Sequence, residues 1–394
     1  MSKIKTKIPE QPARKSLLNA MEIIFPLVPT NETIPVETAV CLYCDEPGYV
    51  NLRYTSRGAS AVVKTALVSK ETFSIYISAK ELRNVLKGFD ADDISFTIEH
   101  NPEEPNSMEG SVTYKCGRAK GKILRYTPDA DAILLQDFSS SLGNVRVLRD
   151  DLLEIITEAS LFVAKDDVRP QYNYIAAYVH GKQIEFYATN GLSLYRNTLS
   201  IETKEEDESV FFVHPKVAPL MTFLSSEIQL GWSERRDAIL KSDSASIWIT
   251  AHSEKPIDIA QLKRLNGGAL AKDPIAKNIS SKDLQNAVKR AISNIFSGSV
   301  LVPNFYIRKS DIDMNMIQVF AEKSSGEYYV EDIQCGEEVQ AFEPVMVDHK
   351  LLEKASRVSG MIAFKQADKI QSPVVFEYDD NRYVLFMPLI VPQS

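Results

Sequence analysis

Histidine and cysteine are scarce, five and four in 394 residues. His100, His180, His214, His252 and His349 are dispersed with no i, i+4 pair, which excludes the usual way a helix holds a metal ion. Cys41, Cys44, Cys116 and Cys335 are too few and too scattered for a disulfide framework in a chain of this size, so reduced thiols are expected. Cys41 and Cys44 form a lone CxxC inside the apolar stretch TAVCLYC. A strand there points them to opposite faces, and buried strand cysteines are expected rather than a zinc site. No apolar run approaches the ~18 residues that cross a bilayer, and the opening MSKIKTKIPEQPARKS has no apolar signal segment. A soluble, cytoplasmic chain with no membrane partner is the expectation.

Catalytic signatures are equally sparse. No GxxxxGK[ST], GxGxxG, HExxH or GxSxG occurs, so no catalytic residue, metal or cofactor is assigned. Acidic clusters stand at Asp90 to Asp93, at Asp129 and Asp131, and at Asp311 and Asp313, all in turn-like polar stretches that read as solvated loops. The alternative, an acidic pair serving a β-rich multi-domain enzyme, stays open at this point. A net charge of −8 argues against a protein that coats nucleic acid with its whole surface but allows one basic face.

What is present is a repeat. Apolar-periodic helix candidates begin near Ser16, Arg149 and Ser281, at intervals of 133 and 132 residues. A second helix candidate follows in each third. Its starts are Ser78 with Glu81 as a capping box, Pro215 after His214, and Asp348 before His349, at intervals of 136 and 134 residues. The unit is therefore a whole domain, and three copies account for the chain, at 1–140, 141–268 and 269–394. Between the helices lie short strands with turn punctuation, such as VVFEYDDNRYVLFMP with a hairpin turn at Asp379 to Asn381. The class is α+β, three similar domains of antiparallel sheet plus two helices each, and the first ~14 residues read as a flexible basic tail.

Basic residues recur on the helix candidates. Lys80, Arg83 and Lys87 lie opposite Leu82, Val85 and Leu86; Lys350, Lys354 and Arg357 repeat the pattern; Lys282 and Lys289 add to it, and the middle third offers Arg149 and Lys216. Singly, each stripe is the wet side of an amphipathic helix. Their recurrence in a repeat brings equivalent faces onto one surface.

The letters themselves resemble the beta sliding clamp of bacterial replicative polymerases across essentially the whole chain. Leu152 to Glu202 looks like that family's second domain, with a D-x-R-P turn and ATNGLSL in place of an A-T-D-G-x-x-L motif. RYVLFMPLIVPQS is similar to the family's ending, HSEKPIDIAQLKRL to its linker into the third domain, and YKCGRAKGKILRYTP to the last hairpin of its first domain.

The resemblance implies a DNA clamp fold and a homodimeric six-domain ring that encircles duplex DNA independently of sequence and tethers the replicative polymerase. The basic residues above would then line the DNA channel. It further implies a groove for a short linear peptide of polymerase or clamp loader, built by Tyr172, Thr189, Gly191, Leu192, Leu194, Pro256, Leu385, Met387, Pro388 and Leu389. The dimer contact would join the hairpin around Ile123 to the helix end at Ile295 and Phe296. Asn190 stands where the family has aspartate, Leu192 and Ser193 where a polar or basic pair is usual, and Ile390 where arginine is common. The rival to a ring is an interaction scaffold that kept the domains and lost DNA.

Overall fold

The computed structural model describes residues 4–29, 38–56, 59–100, 111–126, 143–165, 167–202, 208–251, 257–258, 268–295, 304–366, 373–379 and 381–389. The chain separates into two compact units, each assembled from two stretches. The first is Met1–Leu153 with Phe211–His252, and the second Glu154–Val210 with Ser253–Ser394.

In the first unit one twelve-stranded sheet runs in the order β1 (Ile4–Pro12), β6 (Asp93–His100), β7 (Ser111–Cys116), β8 (Ala119–Tyr126), β5 (Phe73–Ser78), β2 (Ala39–Cys44), β3 (Gly48–Thr55), β4 (Ala59–Ser69), β16 (Ala245–Ile249), β15 (Ala238–Lys241), β14 (Glu227–Trp232) and β9 (Gly143–Leu148). Every register resolved between these neighbours is antiparallel. The alternation of β3 and β4 sends Leu52, Tyr54, Val63 and Leu67 inward, where helices α1 (Arg14–Ile24) and α2 (Ala79–Lys87) bury Leu17, Met21, Leu82 and Leu86. The expected cap of α2 is present: the Ser78 hydroxyl accepts from the Glu81 amide at 3.2 Å. Cys41 and Cys44 are buried on β2, as strand cysteines should be.

Two expectations for this part of the chain are corrected. The opening residues are not a tail: Ile4 to Pro12 form edge strand β1, paired with β6 through a register shift between Ile8 and Gln11 that spans Pro9. A proline lacks the ladder N–H and is tolerated at an edge or a bulge, so it did not forbid a strand here. The second helix of the middle third shrinks to a 3-10 turn, Pro215–Val217, and one α turn, α4 (Ala218–Met221), because Pro219 follows Pro215 within four residues. Helix α3 (Arg149–Ala159) opens the middle third as expected.

The second unit holds an eight-stranded sheet in the order β13 (Ser209–Val213), β10 (Ile175–His180), β11 (Gln183–Thr189), β12 (Ser193–Ser200), β24 (Arg382–Phe386), β23 (Val374–Asp379), β22 (Met361–Gln366) and β17 (Ala276–Ser280). A four-stranded sheet follows, ordered β20 (Tyr328–Gln334), β19 (Met316–Glu322), β18 (Asn304–Lys309) and β21 (Val345–Val347). Helices α5 (Ser281–Ile295) and α6 (His349–Ser356) bury Leu284, Val288, Leu352 and Ala355. The Asp348 carboxylate caps α6 by accepting from the amides of Lys350 and Leu351. An edge-to-face ladder of Phe364, Phe376 and Phe386, at 5.9 and 5.2 Å between ring centres, fills this core. Such ring pairs add about 0.5–1.5 kcal/mol each beyond the area they bury.

Beside the ladder lies a buried polar network. Glu158, 5% exposed at the end of α3, accepts from the Tyr195 hydroxyl at 2.9 Å and from the amide of Ser359 at 3.0 Å, while Arg382 approaches it at 3.4 Å. Burial and that carboxylate push the Tyr195 and Tyr378 phenols upward, so both stay neutral donors. Removing the carboxylate leaves the Tyr195 hydroxyl and the Ser359 amide without their acceptor, while Arg382 keeps Glu154 and Asp379, each at 3.2 Å. We expect Glu158→Ala to cost about 2–4 kcal/mol, at about 1–3 for each donor left unsatisfied, and Glu158→Gln less, as the urea midpoint of the second unit and amide exchange along β24 will report; equal midpoints for wild type and Glu158→Ala would remove the network from the stability of the fold.

Candidate partner groove and basic helix faces

The predicted groove residues that the structure describes gather within the second unit, around the junction of β12 and β24. Leu194 pairs with Leu385 across that junction, both buried. The pairing continues beyond the strand end, where the Met387 amide donates to the Leu192 carbonyl at 3.1 Å and the Leu389 amide to Met346 on β21 at 2.9 Å. Pro388 is buried between them, and Leu192, Met387 and Leu389 are left 60%, 39% and 43% exposed. An apolar surface of this kind at the ends of two paired interior strands suits the side chains of a docked peptide. Pro256 lies outside the described residues; its neighbour Ile257 is held by the Tyr178 hydroxyl at 2.6 Å.

Side-chain hydrogen bonds shape the loop that presents Leu192. Thr189 donates its hydroxyl to the Ser193 carbonyl at 2.7 Å and accepts from the Gly191 amide at 3.0 Å. Gly191 takes φ +86°, where a Cβ would be strained and would approach the Arg169 guanidinium to 3.3 Å. Asn190 accepts three hydrogen bonds on Oδ1, from the amides of Leu192 and Ser193 and the Ser193 hydroxyl, at 3.0, 2.9 and 2.9 Å. The amide oxygen thus supplies the acceptor that an aspartate would supply, without its charge.

Tyr172, half-buried in the 3-10 turn Pro170–Asn173, comes within 3.8 Å of the position a Gly191 Cβ would take. Arg169 lies 4.2 Å over its ring and is gripped by Asp167 at 2.9 and 3.0 Å. Arg169 holds the Asp167 carboxyl down to about 2. Arg169 was missed among the sequence candidates, although the D-x-R-P turn that carries it was visible; so were Glu158 and Arg382, which no local motif marks.

The basic helix faces are real but partly neutralised from within. On α2, Arg83 and Lys87 share one partner, Glu22 of α1, at 2.8 and 3.0 Å, and Arg83 also lies 4.1 Å over Phe25. Lys80 is exposed beside them. Arg149 is tied back to Asp150 and to the Leu224 carbonyl, and the surface of α3 is acidic, with Asp150, Asp151 and Glu154 exposed. Lys216 is exposed. In the last third, Lys282, Lys289 and Lys350 are exposed and make no ion pair among the described residues, while Arg357 pairs with Glu353 on its own helix. Lys354 is pushed down by burial and by the neighbouring Lys165 cation.

Ile123 and Ile295 are 2% and 3% exposed, so their side chains belong to the core of the chain, and any contact at that hairpin and helix end must come from their neighbours. Phe296 lies outside the described residues. The acidic clusters are turn caps where they are described: Asp92 receives the Lys15 amide, Asp313 receives Asn315, and Asp311 pairs with Arg308.

With this geometry, the fold is that of the bacterial DNA sliding clamps. The Bacillus subtilis DNA polymerase sliding clamp shares it at TM-score 0.81 and 14% identity, over 99% of this chain and 100% of that one. The Pseudomonas aeruginosa DnaN clamp bound to griselimycin gives 0.79 and 16% over the same shares, and the Thermotoga maritima DNA polymerase III beta subunit 0.77 and 15% over 99% and 100%. Residues 12–113 match the family model of the DNA polymerase III beta subunit, N-terminal domain. No curated protein matches the chain. The likeness seen in the sequence therefore holds for the fold over the whole length, at an identity that marks the chain as divergent.

Glu22 offers a test of how the basic face is held. Arg83 first, and Lys87 after it, lower its carboxyl below the ordinary 4.5. A depressed carboxyl stabilises the fold above the unfolded value and loses that contribution as pH falls through the folded one. Glu22→Gln should therefore lower the unfolding temperature at pH 7, and the gap from wild type should close below about pH 4. A gap that persists to pH 2 would show that packing, not charge, is what Glu22 supplies.

Proposed function

We propose that the chain is a DNA sliding clamp, non-catalytic, in which two copies close head to tail around duplex DNA and tether a polymerase. The three sequence repeats, 1–140, 141–268 and 269–394, would be its domains. The reading rests chiefly on one observation: the fold likeness to clamps covers 99% of this chain and all of the Bacillus subtilis chain. The exposed lysines of the last third would meet phosphates without reading bases, and a ring holds DNA by topology, so few such contacts suffice.

Two open strand edges suit the closure. β20 is an edge of its sheet, with Tyr328 and Val330 67% and 39% exposed and Glu327, Glu331 and Asp332 alongside. β8 meets β5 only at Ile77 with Arg125 and Tyr76 with Tyr126, which leaves its Ala119 to Leu124 stretch open on that side among the described residues. Arg118, Lys120 and Lys122 surround it. Glu331 and Glu327 are already paired with Arg290 and Lys323 of their own chain, so backbone pairing and the apolar Tyr328 and Val330, rather than charge, would join one copy's β20 to the next copy's β8 and cover both edges. The partner peptide would lie over Leu192, Met387 and Leu389, with Tyr172 and Arg169 at the rim.

Light scattering should find one particle of two 44.2 kDa chains. Loaded with a clamp loader and ATP, the protein should stay on a nicked circle and leave when the circle is cut; equal retention on linear and circular DNA would defeat the proposal. Replacing Lys282, Lys289 and Lys350 with alanine should reduce the salt slope of DNA binding by about 2–3, because each lysine that neutralises a phosphate accounts for about 0.9 of that slope.

The groove is tested by Leu192→Glu. At an exposed position the change should leave the unfolding free energy within about 0.5 kcal/mol of wild type and abolish binding of a polymerase-derived peptide in calorimetry. Undiminished binding would place the peptide elsewhere.

A further inference from the structure

Acidic residues outnumber lysine and arginine in this chain, 53 to 45, yet strands β2, β3, β4 and β5 contain no aspartate or glutamate. Their inward side chains form the core of the first unit. Pleating turns the other set to the opposite face, where the register brings Arg53 opposite Cys41 and Val62, Tyr76 opposite Cys41, and Asn51 between Tyr43 and Lys64.

On that face each cation lies on a ring. The Arg53 guanidinium is 4.1 Å from the centre of Tyr43, and the Lys64 ammonium 4.0 Å from the centre of Tyr49. Neither makes an ion pair among the described residues. The acid that acts on this cluster is Asp45, in the turn after β2, and it bears on the Tyr43 phenol rather than on either cation. Tyr49 is 52% exposed, Lys64 is exposed and Arg53 half-buried.

A guanidinium carries five N–H donors, more than the Tyr43 hydroxyl beside Arg53 takes up, and the remaining donors can receive a carboxylate. With no acid on the strands, an incoming carboxylate meets no repulsion from them and restores charge balance to two cations that make no ion pair there. Tyr43 is buried beneath its cation and Tyr49 carries Lys64 on one face, which leaves one ring at most for a base, short of the row of open rings on which single-stranded nucleic acid stacks.

We propose that the outer face of β2–β5 is a docking surface for an acidic peptide segment of a partner protein, whose carboxylates engage Arg53 and Lys64 while Tyr49 supplies apolar contact. This surface is independent of the groove and of the basic helices, and stands whether or not the chain encircles DNA.

The test uses the full chain and a ten-residue polyglutamate peptide carrying a benzophenone, photo-cross-linked at low salt and mapped by mass spectrometry. Cross-links should fall on Gly48–Thr55 and Ala59–Ser69, and Arg53→Gln with Lys64→Gln should weaken them about fivefold, as the loss of two modest charge pairs near the surface would. Lys64→Glu, at an exposed site where the fold is safe, should weaken them alone, and Lys241→Gln on β15 should not. Cross-links confined to the helices, equal loss in Lys241→Gln, or preferential cross-linking of an oligothymidylate probe at the same strands would each overturn the proposal.

Discussion

The register of β12 on β24 is the constraint on which the second unit depends. It sets Leu194 against Leu385 in the core and leaves Leu192 and Met387 on the surface, joined by a backbone hydrogen bond. A slip of one residue would invert every side chain of β24, turning Phe386 away from Phe376 and breaking the aromatic ladder. The Glu158 network guards against that slip. Its partners come from β12, from the segment after α6 and from β24, and a carboxylate out of reach of water tolerates only the register that supplies all of them.

Local chemistry was legible in the sequence, and long-range pairing was not. Ser78 with Glu81 and Asp348 marked helix starts because a cap satisfies amides within three residues of itself. The cysteines of TAVCLYC read as strand residues for the same local reason. β1 escaped because its lysines and prolines look like a tail until β6, some 90 residues away, offers a ladder. Arg149 and Arg83 read as free cations because nothing in their own helices announces the Leu224 carbonyl or the Glu22 carboxylate that hold them. At the groove, ATNGLSL showed the turn, but not that the Asn190 amide oxygen would accept from both following amides and from the Ser193 hydroxyl.

Electrostatics divides the surface unevenly. Helix α3 exposes carboxylates where α5 and α6 expose lysines, so the thirds of the chain are not equivalent in charge. Intrachain pairs such as Arg83 with Glu22 and Arg357 with Glu353 cancel part of the cationic character before any ligand arrives. What remains is sparse, and it suits a contact made transiently and often rather than one made tightly.

The sheets cross the boundaries at 140 and 268 that the sequence intervals suggest. β4, before the first, hydrogen-bonds to β16, beyond it, over five residue pairs, just as β12, before the second, joins β24, beyond that one. A gene segment cut at a repeat boundary would therefore encode a polypeptide with a naked central strand, prone to polymerise edge on edge or to capture any extended chain in its surroundings. Such repeats can diverge in sequence but are hard to shuffle as modules, and an inserted reporter or protease site is better placed in a surface turn than at the seams the sequence suggests.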